Sequence, residues 1–110
     1  MGEDKKNPTF RVDFDDREWI SIAPGARHKT VACCGKLLRI VEFTPDFHET
    51  DWCLKGHIGY VLEGALEIDF DGRPIQYQTG NGIFIVAGNE SRHKARGLTD
   101  VVRLFLVDDI

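Results

Sequence analysis

The stretch "DWCLKGH" brings together three side chains that can bind a metal or move protons: Asp51, Cys53 and His57. A fourth such side chain, His93, lies two positions after Ser91. Residues two apart on an extended strand share a face, so each of the pairs 51/53 and 91/93 converges if its segment is extended. One thiolate, two imidazoles and a carboxylate suit Zn²⁺ or a similar borderline metal better than Mg²⁺ or Ca²⁺. The residue types therefore indicate a divalent transition metal (zinc, iron, nickel or manganese), with Asp51, Cys53, His57 and His93 as its candidate ligands.

The same residues also allow a site without a metal. The spacing from Cys53 to His57 is not a zinc signature by itself, and cysteines are among the most buried residue types. In a metal-free cavity, His57 with an ordinary pKa of ~6.5 could act as acid or base toward a bound ligand, and it is the candidate catalytic residue. Trp52 could cap a ligand or pack in a core or dimer interface. Trp52 and Ser91 are therefore the candidate ligand-binding residues, and both interpretations stay open.

Patterns typical of β-strands surround these residues. "LEIDFD" (66–71) alternates apolar and polar side chains, and the dipeptide Asp71-Gly72 then favours a tight hairpin turn before "RPIQYQ" (73–78). The run "IFIVAG" (83–88) is continuously apolar, which is typical of a strand buried on both faces. Further strands are predicted over "EWISI" (18–22), "TVACC" (30–34), "LLRIVEF" (37–43) and "VVRLFLV" (101–107). No long stretch has apolar residues at helical spacing, so the chain is predicted to be an all-β sandwich or barrel with little helix.

Two blocks of this pattern resemble the conserved motifs of the cupins, small β-barrels of the jelly-roll type. They are "GYVLEGALEIDFDG" and "GNGIFIVAG" with a His after it, and the resemblance covers roughly residues 36–107. It implies a single cupin-type jelly-roll domain over residues 11–110, with His57 and the 91/93 pair pointing into one cavity. Residues 1–10 are polar and without periodicity, so they are predicted to form a flexible N-terminal arm. Counted from Gly64, the ligand positions of the first block fall at Asp51, Cys53 and His57. The ligand position of the second block falls at Ser91, two residues before His93, so every ligand position has changed type.

Composition and charge narrow the classes of partner. The 110 residues suffice for one domain, and the net charge of −4 argues against binding nucleic acid. No apolar run approaches the ~20 residues that cross a bilayer, and the N-terminus lacks the pattern of a secretory signal. Cys33, Cys34 and Cys53 are an odd count, and neighbours on a strand point to opposite faces, so reduced thiols in a cytoplasmic protein are expected. Exposed strand edges favour a homodimer, which is also common among cupins.

Two functional hypotheses follow. The first is a metal-dependent enzyme that binds a small oxygenated substrate in the barrel cavity. The alternative is a metal-free module that binds a small molecule or regulates another protein without catalysis. A purely structural dimer partner is a third alternative.

Overall fold

Nine β-strands contain about half of residues 10–110. The computed structural model describes residues 10–110, so residues 1–9 of the predicted N-terminal arm lie outside the described part. In chain order the strands are β1 (Ile20–Ala23), β2 (Ala26–Cys33), β3 (Lys36–Phe43), β4 (His57–Glu63), β5 (Ala65–Asp69), β6 (Pro74–Gln78), β7 (Gly82–Ile85), β8 (Lys94–Gly97) and β9 (Val102–Asp109). Two 3₁₀ turns, Phe14–Asp16 and Asn89–Ser91, are the only helical segments of residues 10–110, and no helix there could cross a membrane. The predicted all-β fold with little helix is confirmed.

The strands form two antiparallel sheets around one core. The larger sheet has six strands in the order β1-β2-β3-β9-β4-β7, and the smaller has three in the order β6-β5-β8. Leu66 and Ile68 of the smaller sheet share a buried cluster with Val41, Val61 and Leu104 of the larger one. Apolar burial between the two sheets therefore closes the jelly-roll barrel.

The inward face of the larger sheet changes from apolar to charged toward one end of the barrel. On β9, Leu104 and Leu106 are buried, and Asp108 follows them on the same face. On β3, Arg39 precedes the buried Val41 on the inward face. The antiparallel pairing of β3 with β9 brings these two charged residues to the same end, where Arg39 Nη2 lies 2.9 Å from Asp108 Oδ2.

Strand β7 differs from its prediction as a strand buried on both faces. Ile83 and Ile85 are buried, but the Phe84 side chain between them is 77% exposed. The reason is that, within residues 10–110, β7 is an edge strand paired only with β4, whose outward Ile58 and Tyr60 are also exposed. An apolar run alone does not separate an edge strand from a central one. The homodimer predicted from the sequence stays a prediction.

The adjacent cysteines do not point to opposite faces as the sequence suggested. Cys33 ends β2, but Cys34 lies in the turn before β3 with a φ of +59°. This left-handed conformation turns the second side chain back toward the first, and the two Sγ atoms lie 2.6 Å apart. The prediction was wrong because it assumed that both residues are extended.

The turn between β4 and β5 requires glycine at position 64. An alanine substitution tests this requirement. Gly64 has a φ of +79°, and a Cβ there would lie 2.1 Å from the Val101 carbonyl oxygen. Gly72 has a φ of +93°, but a Cβ there would have nothing within 4 Å. Both substitutions force an alanine into the left-handed region, but only the first adds a clash with backbone. We expect Gly64→Ala to lower the free energy of unfolding by about 3 kcal/mol and Gly72→Ala by about 1 kcal/mol.

Urea unfolding of both variants measures this difference. Equal losses would show that the backbone near Val101 moves aside at little cost.

Candidate metal centre

Three of the predicted ligand residues converge at the charged end of the barrel. Cys53 and His93 form an isolated β-bridge, in which the Cys53 amide donates to the His93 carbonyl oxygen at 2.8 Å and the reverse bond is 3.0 Å. His57 begins β4 beside them, and its ring centroid lies 5.6 Å from that of His93. One ligand atom from each of the three residues lies within 4.8 Å of the others. A thiol and two imidazoles therefore face a common point.

Hydrogen bonds outside this group fix the orientation of both imidazoles. His57 Nδ1–H donates to Asp108 Oδ1 at 2.9 Å, and His93 Nδ1–H donates to the Ser91 carbonyl oxygen at 2.9 Å. A carboxylate and a carbonyl can only accept, so each Nδ1 carries the proton. The Nε2 atom of each ring is left to act as a ligand. Histidines that bind metals in proteins usually have this arrangement.

Electrostatics separate charge within the site. Hydrogen bonds from His57 and His93 lower the pKa of the Cys53 thiol to about 5, although burial opposes the shift. Burial favours neutral His57, but its hydrogen bonds to Asp108 and Cys53 outweigh burial and raise its pKa to about 9. The same contact to Cys53 raises the pKa of His93 against the effect of burial. Without a metal, the site therefore holds a thiolate beside imidazolium at neutral pH.

The donor set fits a transition metal. A thiolate with two Nε2 atoms matches the ligand types of zinc and iron sites, and His93 is only 2% exposed. Ligand atoms around a tetrahedral ion lie about 3.5 Å apart, so a spacing within 4.8 Å needs only a small contraction. Three protein ligands leave a coordination position for water or substrate.

The other predicted site residues lie outside this group. Asp51 is exposed and does not join the three ligands, because the chain on either side of it makes isolated bridges at His48 and Cys53 instead of a continuous strand. Trp52 is 38% exposed, and the Lys94 ammonium lies 4.4 Å from its ring centroid. Ser91 contributes its carbonyl oxygen to His93. Neither Trp52 nor Ser91 lines the cavity beside the site.

Three residues of the site were missed by the sequence reasoning. Asp108 accepts a hydrogen bond from His57 and pairs with Arg39, so Asp108 orients His57 and Arg39 holds Asp108 in place. Glu49 lines the cavity, its Oε1 accepts the Ala95 amide at 2.9 Å, and burial raises its pKa. A signal existed for Asp108, which continues the inward alternation of Leu104 and Leu106.

A cavity of about 260 Å³ adjoins the three ligands. Its polar lining residues are Arg39, Glu49, Cys53, Lys55, His57 and His93. The remaining wall is apolar and consists of core residues such as Leu66 and Leu104. A small molecule in this cavity would therefore lie against the candidate ligands.

Solved structures share this fold. KdgF from Halomonas sp. is 22% identical to the chain, with a TM-score of 0.75 over 94% of this chain and 96% of that one. An RmlC-like cupin from Shewanella frigidimarina is 14% identical, with a TM-score of 0.75 over 93% of this chain and 91% of that one. The chain has a cupin fold. The polyketide cyclase RemF from Streptomyces resistomycificus shares the cupin fold at 23% identity, with a TM-score of 0.75 over 93% of this chain and 80% of that one. No protein-family profile and no curated protein sequence matches the chain.

The cupin fold explains which motif positions meet. Cys53 and His57, at two ligand positions of the first cupin block, lie in the group of three. In the second block the ligand position falls at Ser91. Ser91 is the last residue of the 3₁₀ turn Asn89–Ser91, and His93, two residues later, forms the bridge with Cys53. Two of the ligand positions that the resemblance to the cupins implied therefore lie in the group of three, and His93 is its third member.

Proposed function

We propose that this cupin-fold protein binds a divalent transition metal through Cys53, His57 and His93 and acts there as an enzyme on a small oxygenated substrate. The observation that carries the proposal is the orientation of both rings, whose Nδ1 protons are engaged while Nε2 faces the thiol. The thiolate favours zinc or iron over manganese. A bound metal would supply Lewis acidity toward a substrate oxygen.

Glu49 is the residue best placed to move a proton in such an enzyme. Its Oε1 accepts the Ala95 amide, so Oε2 carries the proton whenever the carboxyl is neutral. Burial raises its pKa, which brings the neutral form closer to working pH. His57, the catalytic residue predicted from the sequence, would be occupied as a ligand and would not exchange protons.

The cupin fold is compatible with an enzyme but does not by itself favour one over a passive module. RemF, which shares the fold, is a polyketide cyclase. Fold alone does not transfer a reaction, so the argument rests on the cavity and the donor set.

Elemental analysis of protein purified without an affinity tag tests the metal centre. We expect about one metal ion per chain in the wild type and less than about a tenth of that in a His57→Ala, His93→Ala double variant, because one remaining thiolate binds metals weakly. His48→Ala is the matched control, because His48 lies outside the group of three and should leave the metal content unchanged. A wild type that carries no metal and takes up none on addition would contradict the proposal.

A metal-free ligand-binding module is the second candidate. The observation that favours it is a series of contacts from Cys53 through His57 and Asp108 to Arg39. Negative and positive groups alternate along this series, so each charge has a partner without a metal ion. Absence of metal from both the wild type and the double variant would support this candidate.

A further inference from the structure

We infer that the ligand of this cavity is a small oxyanion with a compact apolar body, such as a monocarboxylate with an aromatic or branched aliphatic group. The inference deepens the proposed function and rests on it only in placing the anionic end beside the metal centre. Its basis is the distribution of polar and apolar groups around the cavity wall.

The wall limits how polar the body of the ligand can be. Eleven of the seventeen residues that line the cavity have apolar side chains. Five of the six polar ones form a single cluster, because Arg39 reaches His57 through Asp108, both imidazoles contact Cys53, and Glu49 interacts electrostatically with Cys53 and His93. Hydroxyl groups spread over a ligand would therefore lose water without gaining partners away from that cluster. A polyhydroxylated body such as a sugar does not fit this wall.

The polar cluster favours a negative charge on the ligand. Two cationic side chains, Arg39 and Lys55, line the cavity, whereas Glu49 is the one carboxylate among the lining residues. Asp108, which pairs with Arg39, does not itself line the cavity. A ligand at this end therefore meets more cationic groups than carboxylates.

One donor in the cluster still lacks an acceptor. Arg39 Nη2 contacts Asp108 and Nη1 contacts His28, but Nε is buried without a partner among residues 10–110. Buried N–H groups without a partner are rare, and each needs an explanation. Arg39 lines the cavity, so a small turn of the guanidinium edge toward a ligand oxygen would supply the acceptor.

The volume sets the size of the ligand. A space of about 260 Å³ equals that of about nine molecules of liquid water, so the ligand has about ten non-hydrogen atoms. We choose three probes with about ten to thirteen non-hydrogen atoms. They are 3-phenylpropionate, its neutral analogue 3-phenylpropan-1-ol, and D-glucuronate, which keeps the carboxylate but has a polyhydroxylated body.

Isothermal titration calorimetry with chelator-treated and metal-loaded protein tests the inference. We expect 3-phenylpropionate to bind about tenfold to a hundredfold more tightly than either comparison probe. Arg39→Gln should remove most of the advantage of the acid over the alcohol, and Arg39→Lys should keep part of it because the charge remains. Ala95→Leu, which fills the cavity from β8, should weaken acid and alcohol alike. If Arg39→Gln does not fold, Arg39→Lys and Ala95→Leu still test the roles of the guanidinium and of the cavity.

The outcomes separate this inference from the metal centre. Preference for the acid in chelator-treated protein, with dependence on Arg39, supports the inference whether or not elemental analysis finds a metal. Tighter binding of D-glucuronate, or equal binding of acid and alcohol, would overturn it and leave the metal centre standing. Binding of the acid only to metal-loaded protein, unchanged in Arg39→Gln, would overturn the role of Arg39.

Discussion

The affinity of the protein for Zn²⁺ is expected to rise about a hundredfold between pH 7 and pH 9. The metal-free site raises the pKa of His57 to about 9, so one proton must leave this ring before Nε2 can bind a metal. Each pH unit below that value therefore costs about tenfold in affinity. The thiol does not add to this competition, because the pKa of Cys53 is about 5 and it is already ionised. His93, whose pKa is also raised, acts in the same direction as His57.

Competition against a chelator of known pH dependence measures this profile. A histidine with an ordinary pKa of ~6.5 would give an almost constant affinity over the same range, so the two cases are easily separated. A constant affinity would show that His57 is neutral in the metal-free protein and that its contact with Asp108 does not stabilise the imidazolium.

The sequence alone predicted much of the fold because its signals were local. Alternation in "LEIDFD" and the turn at Asp71-Gly72 specify the β5–β6 hairpin without reference to the rest of the chain. The run at β7 was misread because exposure of Phe84 depends on which strands lie beside it. That information belongs to the topology and not to the run itself.

The candidate site was predictable only in part for the same reason. Cys53 and His57 were found because they occupy motif positions, and His93 because it is a metal-capable residue close to one. Asp51 lies outside the group of three, because the rule that residues two apart share a face requires a continuous strand that does not form there. Asp108 and Arg39 lie 69 positions apart and meet only through the register of β3 against β9. Such a register is set by long-range packing and cannot be read from either strand alone.

Asp108→Asn should weaken metal binding about tenfold to a hundredfold at pH 9, where proton competition is small. The Asp108 side chain is only 13% exposed, and it both accepts from His57 Nδ1 and pairs with Arg39. An asparagine of the same shape can still accept the hydrogen bond, but it no longer raises the basicity of the ring. At pH 7 the loss should be smaller, because the variant also lowers the pKa of His57 and so relieves competition by protons. The rise in affinity between pH 7 and pH 9 should therefore be flatter in the variant than in the wild type.

Asp109→Asn is the matched control, because it makes the same change one residue further along β9. Its side chain is 84% exposed and pairs with Lys36 on the surface, so its removal should leave the affinity and the pH profile unchanged. Circular dichroism and thermal unfolding establish that both variants are folded before metal binding is compared. If Asp108→Asn kept the wild-type affinity at both pH values, packing against Cys53 and His93 alone would have to orient His57. The carboxylate would then act only as the partner of Arg39.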